Sequence, residues 1–294
     1  MLSQRQVMVS LALVLCTLPA SAGNLAYVVN GFQFGTVDLV TGAFQQIGPD
    51  TPEGVGGLVP GLNGSLLTLA FSGNLDSINP ATGVTSVIGS TGLADCSTPA
   101  SACGPTSANM LGGLGGTIYA TDFNNDLYTV NPATGVATLI GLTGIPAIPF
   151  LPLSTNPDGS FNFYDESLFG SGGTLYATFD AASFNPATFV IIPVVAPSLY
   201  RIDTSTGLAT LLAPTTLGLG AALEVNGTVY AFDNAASQVV TLDLVNGNTT
   251  FFSDFDPAAG IIAGASPTPE PVSFALAGIG LAAIVVRRRR RRSS

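Results

Sequence analysis

Two stretches of the sequence carry side-chain oxygens at the spacing of a calcium-binding loop. In the first, Asp122, Asn124 and Asp126 alternate as at the start of such a loop. Leu127 then stands where the loop needs a glycine, and Ala133 where it needs its last carboxylate. We therefore interpret this stretch as a hairpin turn.

The second stretch lies within residues 156–166. Its polar members are Asp158, Ser160, Asn162 and Glu166. Cation binding is one alternative for this stretch, but a solvated surface loop explains its composition better. We expect no cofactor elsewhere, so calcium is the one candidate.

Catalytic residues are scarce. The chain has no histidine, which excludes Ser-His-Asp, Cys-His and histidine-metal chemistry. Asp165 and Glu166 are adjacent, so in an extended segment they point to opposite faces. We expect no enzyme; a calcium-dependent hydrolase or lactonase of propeller type stays an alternative.

Aromatic side chains suggest one contact surface. The chain has no tryptophan, which is unfavourable for a sugar-binding platform. Phe161, Phe163 and Tyr164 lie beside the second polar stretch and outside the repeat described below. They form the best candidate contact surface.

Charge excludes one class of partner. Arg5 and Arg287–Arg292 account for seven of the eight bases, so Arg201 is the only base in residues 23–267. That segment holds 17 of the 18 acidic residues and has a net charge of −16. Nucleic acid is excluded as a partner, because its binding needs a basic surface.

The middle of the chain repeats. Segments related to Gly116–Gly141 share the motif Asn/Asp-x-x-Thr/Asn-Gly, and its glycines are Gly42, Gly83, Gly135, Gly207 and Gly247. The glycines are 41, 52, 72 and 40 residues apart, which fits a unit of about 40 residues with two insertions. Alternating strand residues and turn residues in each unit predict β-hairpins.

A Gly-rich apolar run before each unit adds a further strand, so the sequence predicts an all-β propeller of five four-stranded blades. The first unit has no such run before it, whereas residues 258–265 follow the last unit and resemble the missing strand. This strand closes the ring and removes the exposed sheet edges. Six blades stay open if residues 145–170 and 185–197 hide a degenerate one.

The two ends of the chain predict export. Residues 1–22 have the positive start, apolar centre and Ala20-Ser21-Ala22 ending of a signal peptide. Once it is removed, Cys96 and Cys103 remain, and we expect them to form one disulfide in the exported protein. The propeller domain then spans residues 23–266.

The C-terminal segment, residues 267–294, has three parts. Pro269-Glu270-Pro271 precedes an uncharged run from Val272 to Val286, which predicts a transmembrane helix of residues 272–286. At about 1.5 Å per residue this 15-residue run is short for a hydrocarbon core of about 30 Å.

Six consecutive arginines form the third part and set the orientation of the helix in the membrane. They hold that end on the cytoplasmic side, which leaves the propeller outside the inner membrane. The six residues are Arg287, Arg288, Arg289, Arg290, Arg291 and Arg292.

This three-part arrangement resembles the PEP-CTERM sorting signal of Gram-negative bacteria. The resemblance implies that Pro269, Glu270 and Pro271 are read by an exosortase, a membrane-embedded cysteine protease that cuts near the motif. Signal peptidase and exosortase are then the processing partners, and the inner membrane holds the helix before processing. A permanent anchor without processing is the alternative.

Together these features predict a cell-surface or extracellular-matrix protein whose propeller is a binding and display platform. Exopolysaccharide or surface proteins are the partners that the resemblance brings into consideration. A purely structural matrix protein is the second hypothesis.

Overall fold

The computed structural model describes residues 24–95, 108–146, 161–185, 187 and 190–268, and these form five sheets of four strands. From the centre outward, blade 1 contains β20 (Gly264–Pro267), β1 (Leu25–Val29), β2 (Phe34–Asp38) and β3 (Phe44–Gln46). Blade 2 contains β4 (Val55–Pro60), β5 (Leu66–Ala70), β6 (Asn74–Ile78) and β7 (Thr85–Ser90). Blade 3 contains β8 (Ala108–Leu114), β9 (Thr117–Asp122), β10 (Asp126–Val130) and β11 (Ala137–Leu142).

Blade 4 contains β12 (Phe161–Ser171), β13 (Thr174–Asn185), β14 (Val190–Ile202) and β15 (Ala209–Pro214). Blade 5 contains β16 (Ala221–Val225), β17 (Thr228–Asp233), β18 (Gln238–Leu242) and β19 (Thr249–Asp254). Over the described ranges no helix is long and apolar enough to cross a membrane.

The innermost strands form a closed ring. β4 contacts β8, β8 contacts β12, β12 contacts β16, β16 contacts β20, and β20 returns to β4. This arrangement confirms the five-bladed propeller. The six-blade alternative is wrong, because residues 161–170 belong to β12 and residues 190–197 to β14, both within blade 4.

The repeated motif makes the outer hairpin of every blade. In blade 3 the Asn131 side chain accepts a hydrogen bond from the backbone N–H of Ala133, and Gly135 N–H donates to the Asn131 carbonyl. All five motif glycines have positive φ, between 69° and 83°. The predicted turn chemistry is therefore confirmed, because only glycine adopts this backbone without strain.

The same glycines make the blade-to-blade contacts. A Cβ on Gly135 would lie 2.5 Å from the carbonyl oxygen of Gly89 in blade 2, and one on Gly83 would lie 1.9 Å from that of Ile47 in blade 1. The equivalent contacts join Gly207 to Gly141, Gly247 to Pro214 and Gly42 to Asp254. Each blade thus rests its outer turn on the outer strand of the preceding blade.

The chain closes the ring with its last strand, but later than the sequence suggested. We expected residues 258–265, whereas β20 spans Gly264–Pro267 and pairs antiparallel with β1, from Ala26↔Pro267 to Val29↔Gly264. Residues Pro257–Ala259 form a 3₁₀ turn, which Asp256 caps by accepting from Ala258 N–H. The proline and the capping aspartate explain why the strand begins late.

Blade 4 differs from the others in length. Its first three strands have 11, 12 and 13 residues, whereas the corresponding strands of the other blades have 4 to 7. Residues 161–165, 180–185 and 190–197 continue the sheet beyond the end of the neighbouring blades, as the register of β12 with β13 shows. We call this part the blade 4 extension. The expectation of a solvated surface loop up to Glu166 is wrong for residues 161–166, which form strand.

Candidate functional site

Four carboxyl groups lie at the end of the central channel from which the blade 4 extension continues. They belong to Asp165 and Glu166 of β12, Asp180 of β13 and Asp233 of β17. We call this group the acidic mouth. Adjacent residues on β12 point to opposite sides, so Glu166 faces blade 3 and Asp165 faces blade 5.

Glu166 is held firmly in place. Its side chain is only 4% exposed, and its carboxylate accepts from Asn109 Nδ2 and, at 2.9 Å, from Thr121 Oγ1. Burial raises the pKa of this carboxyl to about 7, although the two donors act in the opposite direction. This residue therefore joins blades 3 and 4 and carries a proton that titrates near neutral pH.

On the other side of β12, acidic groups face each other, and the described residues place no base among them. Asp165 and Asp180 are direct cross-strand neighbours, an unfavourable arrangement for like charges. Burial, with the negative charges of Asp165 and Asp233, raises the pKa of Asp180 to about 7. Burial also raises the pKa of Asp165. Oδ1 of Asp180 has no hydrogen-bond partner in the part of the chain that the structure describes.

Blade 5 shapes this side of the acidic mouth. Asn234 Nδ2 lies 3.4 Å from Oδ1 of Asp165 and 3.2 Å from the carbonyl oxygen of Ile262, and its Oδ1 accepts from Ile262 N–H at 2.8 Å. A Cβ on Gly220 would lie 2.0 Å from Asn234 Nδ2, and one on Gly218 would lie 2.7 Å from Oδ2 of Asp180. The two glycines leave the room that the polar groups occupy.

The first predicted calcium-like stretch is a hairpin turn, as interpreted from the sequence. Asp122 Oδ1 accepts from the backbone N–H groups of Asn124 and Asp126, at 3.0 and 2.9 Å, in the turn between β9 and β10. Its Oδ2 accepts from the Tyr128 hydroxyl. Burial raises the pKa of Asp122 to about 6. The Asp122 carboxylate therefore stabilises the turn by accepting hydrogen bonds from its backbone N–H groups.

The second predicted stretch does not form one loop. Asp158 and Ser160, like Cys96 and Cys103, lie outside the described residues; Asn162 lies in β12, and Glu166 is enclosed between blades 3 and 4. The prediction that Glu166 belongs to a solvated loop site is therefore wrong. Within the described ranges, no group of three or more His, Cys, Asp or Glu residues is arranged to hold a metal ion.

The predicted contact residues Phe161, Phe163 and Tyr164 lie in β12, on the blade 4 extension. Along this strand they directly precede Asp165, the first residue of the acidic mouth. On β14, the third strand of the extension, Val194 is 52% exposed. The extension therefore carries an exposed apolar side chain in the same sheet as Asp165 and Asp180.

Sequence reasoning missed Asp180 and Asp233 because no motif links them. They are separated by 53 positions and meet only when blades 4 and 5 pack together. A weak signal was present in the repeat: Asp122 and Asp233 both end the second strand of their blades. In blade 4 an aspartate, Asp180, stands one residue after the corresponding position.

The opposite end of the channel is apolar. A cavity of about 250 Å³ is lined by residues from all five innermost strands, among them Leu58, Leu114, Phe169, Leu223 and Pro267. Its polar contributions include the Glu224 carboxylate, which accepts from Gly172 N–H at 3.0 Å. The two channel ends therefore differ in chemistry.

Similarity to solved structures is low in sequence and weak in shape. A chain of a nidogen/laminin complex has 10% identity and a TM-score of 0.48, and the match covers 82% of this chain and 97% of that one. The extracellular domain of a one-component system from B. thetaiotaomicron has 12% identity and a TM-score of 0.34, over 71% and 30%. A PQQ-bound aldose sugar dehydrogenase from Streptomyces coelicolor has 10% identity and a TM-score of 0.37, over 67% and 80%. No curated protein matches the chain.

The sheets and the closed ring define the protein as a five-bladed β-propeller. Residues 267–291 match the PEP-CTERM protein-sorting motif. The chain is thus an exported propeller that carries an exosortase sorting signal for the cell surface.

Most of this sorting signal lies beyond the described residues, as do residues 1–22, the predicted signal peptide. The predicted recognition element Pro269, Glu270 and Pro271 falls there, and so does the apolar run 272–286. The arginines expected to orient the helix also fall there; they are Arg287, Arg288, Arg289, Arg290, Arg291 and Arg292. The roles of these residues in recognition and in membrane orientation therefore stay predictions.

Proposed function

We propose that this protein is a non-enzymatic binding and display module of the cell surface or extracellular matrix. Its ligand lies at the acidic mouth, against the blade 4 extension. The observation that carries the proposal is the extension itself, because one blade of an otherwise regular ring continues its sheet beyond the neighbouring blades. A binding site built on the strands of a rigid scaffold is held more precisely than a site on loops.

The charge of the site favours one chemistry of ligand. Asp165, Asp180 and Asp233 face the same space, and the only base among the described residues, Arg201, is exposed on the outer part of blade 4. An amine-bearing or hydroxyl-rich group satisfies carboxylate acceptors, whereas an anionic polymer is repelled. We therefore propose a surface polysaccharide with free amino groups as the ligand class.

Exosortase processing completes the proposal. The sorting motif implies that the C-terminal segment is cut and that the propeller is released from its membrane anchor or transferred to the surface. The strong negative charge of the exported segment then keeps an apolar, Gly-rich protein in solution.

Two matched probes test the binding proposal with protein recovered from its host after export. The probes are glucosamine oligomers, which carry positive charge, and N-acetylglucosamine oligomers of the same length, which are neutral. We expect binding of the charged series, and we expect Asp180→Asn to weaken it about tenfold. Asp50→Asn, which removes the same charge from an exposed site, controls for net charge.

A second pair of variants tests the extension. Val194→Arg adds a base to its exposed surface and should abolish binding of the charged oligomers. Val245→Arg adds the same charge to the outer turn of blade 5, where the side chain is 86% exposed, and should leave binding unchanged. Equal effects of the two variants would show that only net charge is read. The absence of any binding would favour the purely structural matrix protein.

A carboxylate-dependent hydrolase is the second candidate, since Glu166 and Asp180 both have a pKa of about 7 at the same mouth. Glu166 is enclosed and already hydrogen-bonded, which is unfavourable for proton transfer to a substrate. Release of new sugar ends from the same oligomers, lost in Asp180→Asn, would identify this activity. Its loss in the presence of a chelator would identify the calcium-dependent form instead.

A further inference from the structure

The outer edges of blades 2 and 3 differ from the rest of the propeller in charge. Residues 77–94 and 127–146 contain no charged side chain, although residues 23–267 have a net charge of −16. The first stretch holds the outer turn of blade 2 and β7, and the second holds the outer turn of blade 3 and β11. We call the exposed surface of these two turns and two strands the neutral rim.

The turns of the neutral rim use asparagine where the other three blades use aspartate. Blades 2 and 3 share an identical turn sequence, Asn-Pro-Ala-Thr-Gly-Val, at residues 79–84 and 131–136. The other outer turns have Asp38, Asp203 or Asp243, which accepts from the backbone N–H two residues further on, as the asparagines do. Asparagine and aspartate both serve such a turn, so the turn itself does not require the neutral residue. The asparagines therefore remove charge from one part of the circumference without changing the turn.

Apolar side chains are exposed on the same surface. Val87 of β7 is 63% exposed, and Leu139 and Leu142 of β11 are 53% and 65% exposed. Val84 and Val136, which follow the two turn glycines, are exposed as well. Large apolar side chains thus stand in both strands and both turns of the neutral rim.

Blades 2 and 3 present these side chains as one patch. A Cβ on Gly89 of β7 would lie 2.3 Å from the carbonyl oxygen of Thr134, in the outer turn of blade 3. Just beyond β7, the Thr91 carbonyl accepts from Ala137 N–H of β11 at 3.0 Å. Apolar groups that are exposed together, rather than scattered singly, are typical of an interaction surface.

Both strands of the neutral rim are also edge strands. Among the described strands, β7 pairs only with β6 and β11 only with β10, so one side of each backbone has no strand partner. Proteins commonly protect such edges with charged side chains, prolines or bulges, because an open edge accepts another strand. β7 and β11 have six residues each and contain neither a charge nor a proline. A bulge, which blades 4 and 5 share, is the one such device present.

A second copy of the chain is the occupant that fits this surface. An open strand edge is completed by another strand, and the same edge on a copy related by a two-fold axis supplies an antiparallel one. Charge limits which edges can meet, because two segments with a net charge of −16 repel each other. The outer turns of the other blades carry the acids Asp38, Asp203 and Asp243. Two copies therefore approach with the least repulsion at the neutral rim.

We propose that the exported protein self-associates through the neutral rim, with β11 of one copy beside β11 of a second and the outer edge of blade 2 flanking the contact. The contact lies on the circumference, so both ends of the channel stay uncovered. Self-association therefore does not depend on the ligand proposed above. Where that ligand is a long polymer, a dimer offers it two acidic mouths, which bind it more tightly than one.

Sedimentation velocity of the protein recovered from its host after export tests self-association directly. We expect the mean mass to rise between about 1 and about 100 µM protein, the range of weak contacts. We also expect more dimer when NaCl is raised from about 0.05 M to about 0.5 M, because salt screens the repulsion between two acidic chains. A chain that stays monomeric under all these conditions overturns the proposal. A dimer that weakens with salt also overturns it, since opposite charges would then hold the copies together.

Two matched variants locate the contact. Leu139→Glu brings like charges together across the two-fold axis and should raise the dimer dissociation constant about tenfold or more. Leu211→Glu is its control, because Leu211 occupies the equivalent position in β15 of blade 4 and is 57% exposed, against 53% for Leu139. This control should leave the dissociation constant within about twofold of the wild type. Equal effects of the two variants would assign self-association to net charge or to another surface and overturn the proposal.

A neutral variant separates packing from charge. Leu139→Gln removes the apolar contact without adding charge and should raise the dissociation constant about fivefold. The melting temperatures of the three variants should stay within about 2 °C of the wild type, because both side chains are exposed in the single chain. If Leu139→Glu alone is destabilised, Leu139→Gln decides the question. Association of Leu139→Gln as tight as that of the wild type would show that the neutral rim is not the contact.

Discussion

The outer hairpins use equivalent residues in every blade, whereas the acidic mouth uses residues that differ from blade to blade. All five outer hairpins have a glycine and an Asp or Asn side-chain acceptor at the same two positions, and each rests on the preceding blade. At the acidic mouth no two blades contribute the same set: blade 3 provides Asn109 and Thr121, and blade 4 provides the acidic residues of β12 and β13. Repetition builds the ring, and departures from it build the site.

The comparison predicts that outer-turn changes act on stability alone. Gly135→Ala should lower the free energy of unfolding by about 3 kcal/mol, because a Cβ meets the Gly89 carbonyl at 2.5 Å and φ is +82°. Gly116→Ala has the same backbone cost, with φ of +84°, but no atom within 4 Å, so about 1 kcal/mol is expected. Urea unfolding of the two variants separates contact from conformation. Equal losses would show that the blade contact contributes nothing.

Glu166 is the point where the site also supports the ring. Glu166→Ala leaves Asn109 and Thr121 without their shared acceptor and opens a cavity, so a loss of about 2 to 3 kcal/mol is expected in the same measurement. Glu166→Gln keeps one acceptor oxygen, which Asn109 can use, and should cost about half as much. A Gln variant as unstable as the Ala variant would mean that the carboxylate itself is required.

The outer hairpins were predictable because their chemistry is local. Asn131 and Gly135 lie within one turn, so five residues of sequence determine its hydrogen bonds. Asp180 and Asp233 become neighbours only through the packing of two blades, which no spacing rule reports. The closing strand was predicted in kind but placed early. Residues 258–263 resemble the Gly-rich apolar runs that precede the other units, but the Asp256 cap starts a 3₁₀ turn there instead.

Because of the acidic mouth, the stability of the protein should fall as pH rises. Carboxylates in surface salt bridges have the opposite effect. The pKa of Asp180 in the folded chain is about 7, above the usual value of 3.8, so the folded state holds more protons than the unfolded state between these values. Stability therefore falls as pH rises from about 4 to about 7 and is level above that range. Asp180→Asn should raise the melting temperature at pH 8 by a few °C, on the order expected for 1 kcal/mol.

Asp50→Asn is the control for this pH effect, since it removes one charge from an exposed site. Thermal unfolding at pH 5 and pH 8 gives four values for the two variants. Parallel changes in both would assign the pH dependence to net charge rather than to the acidic mouth.

Asp76 lies outside the acidic mouth but also departs from the repeat, so it tests whether every such departure serves the site. It occupies the third strand of blade 2, opposite Thr68, where the matching pairs are Ala120↔Tyr128, Ala177↔Tyr200 and Ala231↔Val240. The side chain is 2% exposed, and its Oδ1 has no hydrogen-bond partner among the described residues. Burial, with the nearby charge of Glu53, raises the pKa of Asp76 to about 6.

If departures from the repeat occur only where there is function, this acid should matter for more than stability. Asp76→Val installs the residue of blade 5 and removes an unfavourable buried charge, so we expect about 1 kcal/mol of added stability at pH 8 and less at pH 5. Binding of the glucosamine oligomers should be unchanged, because the residue lies in the outer half of blade 2. A loss of binding with the expected gain in stability would extend the functional surface beyond the acidic mouth. No gain in stability would mean that Asp76 has a partner in the folded chain that keeps its charge favourable.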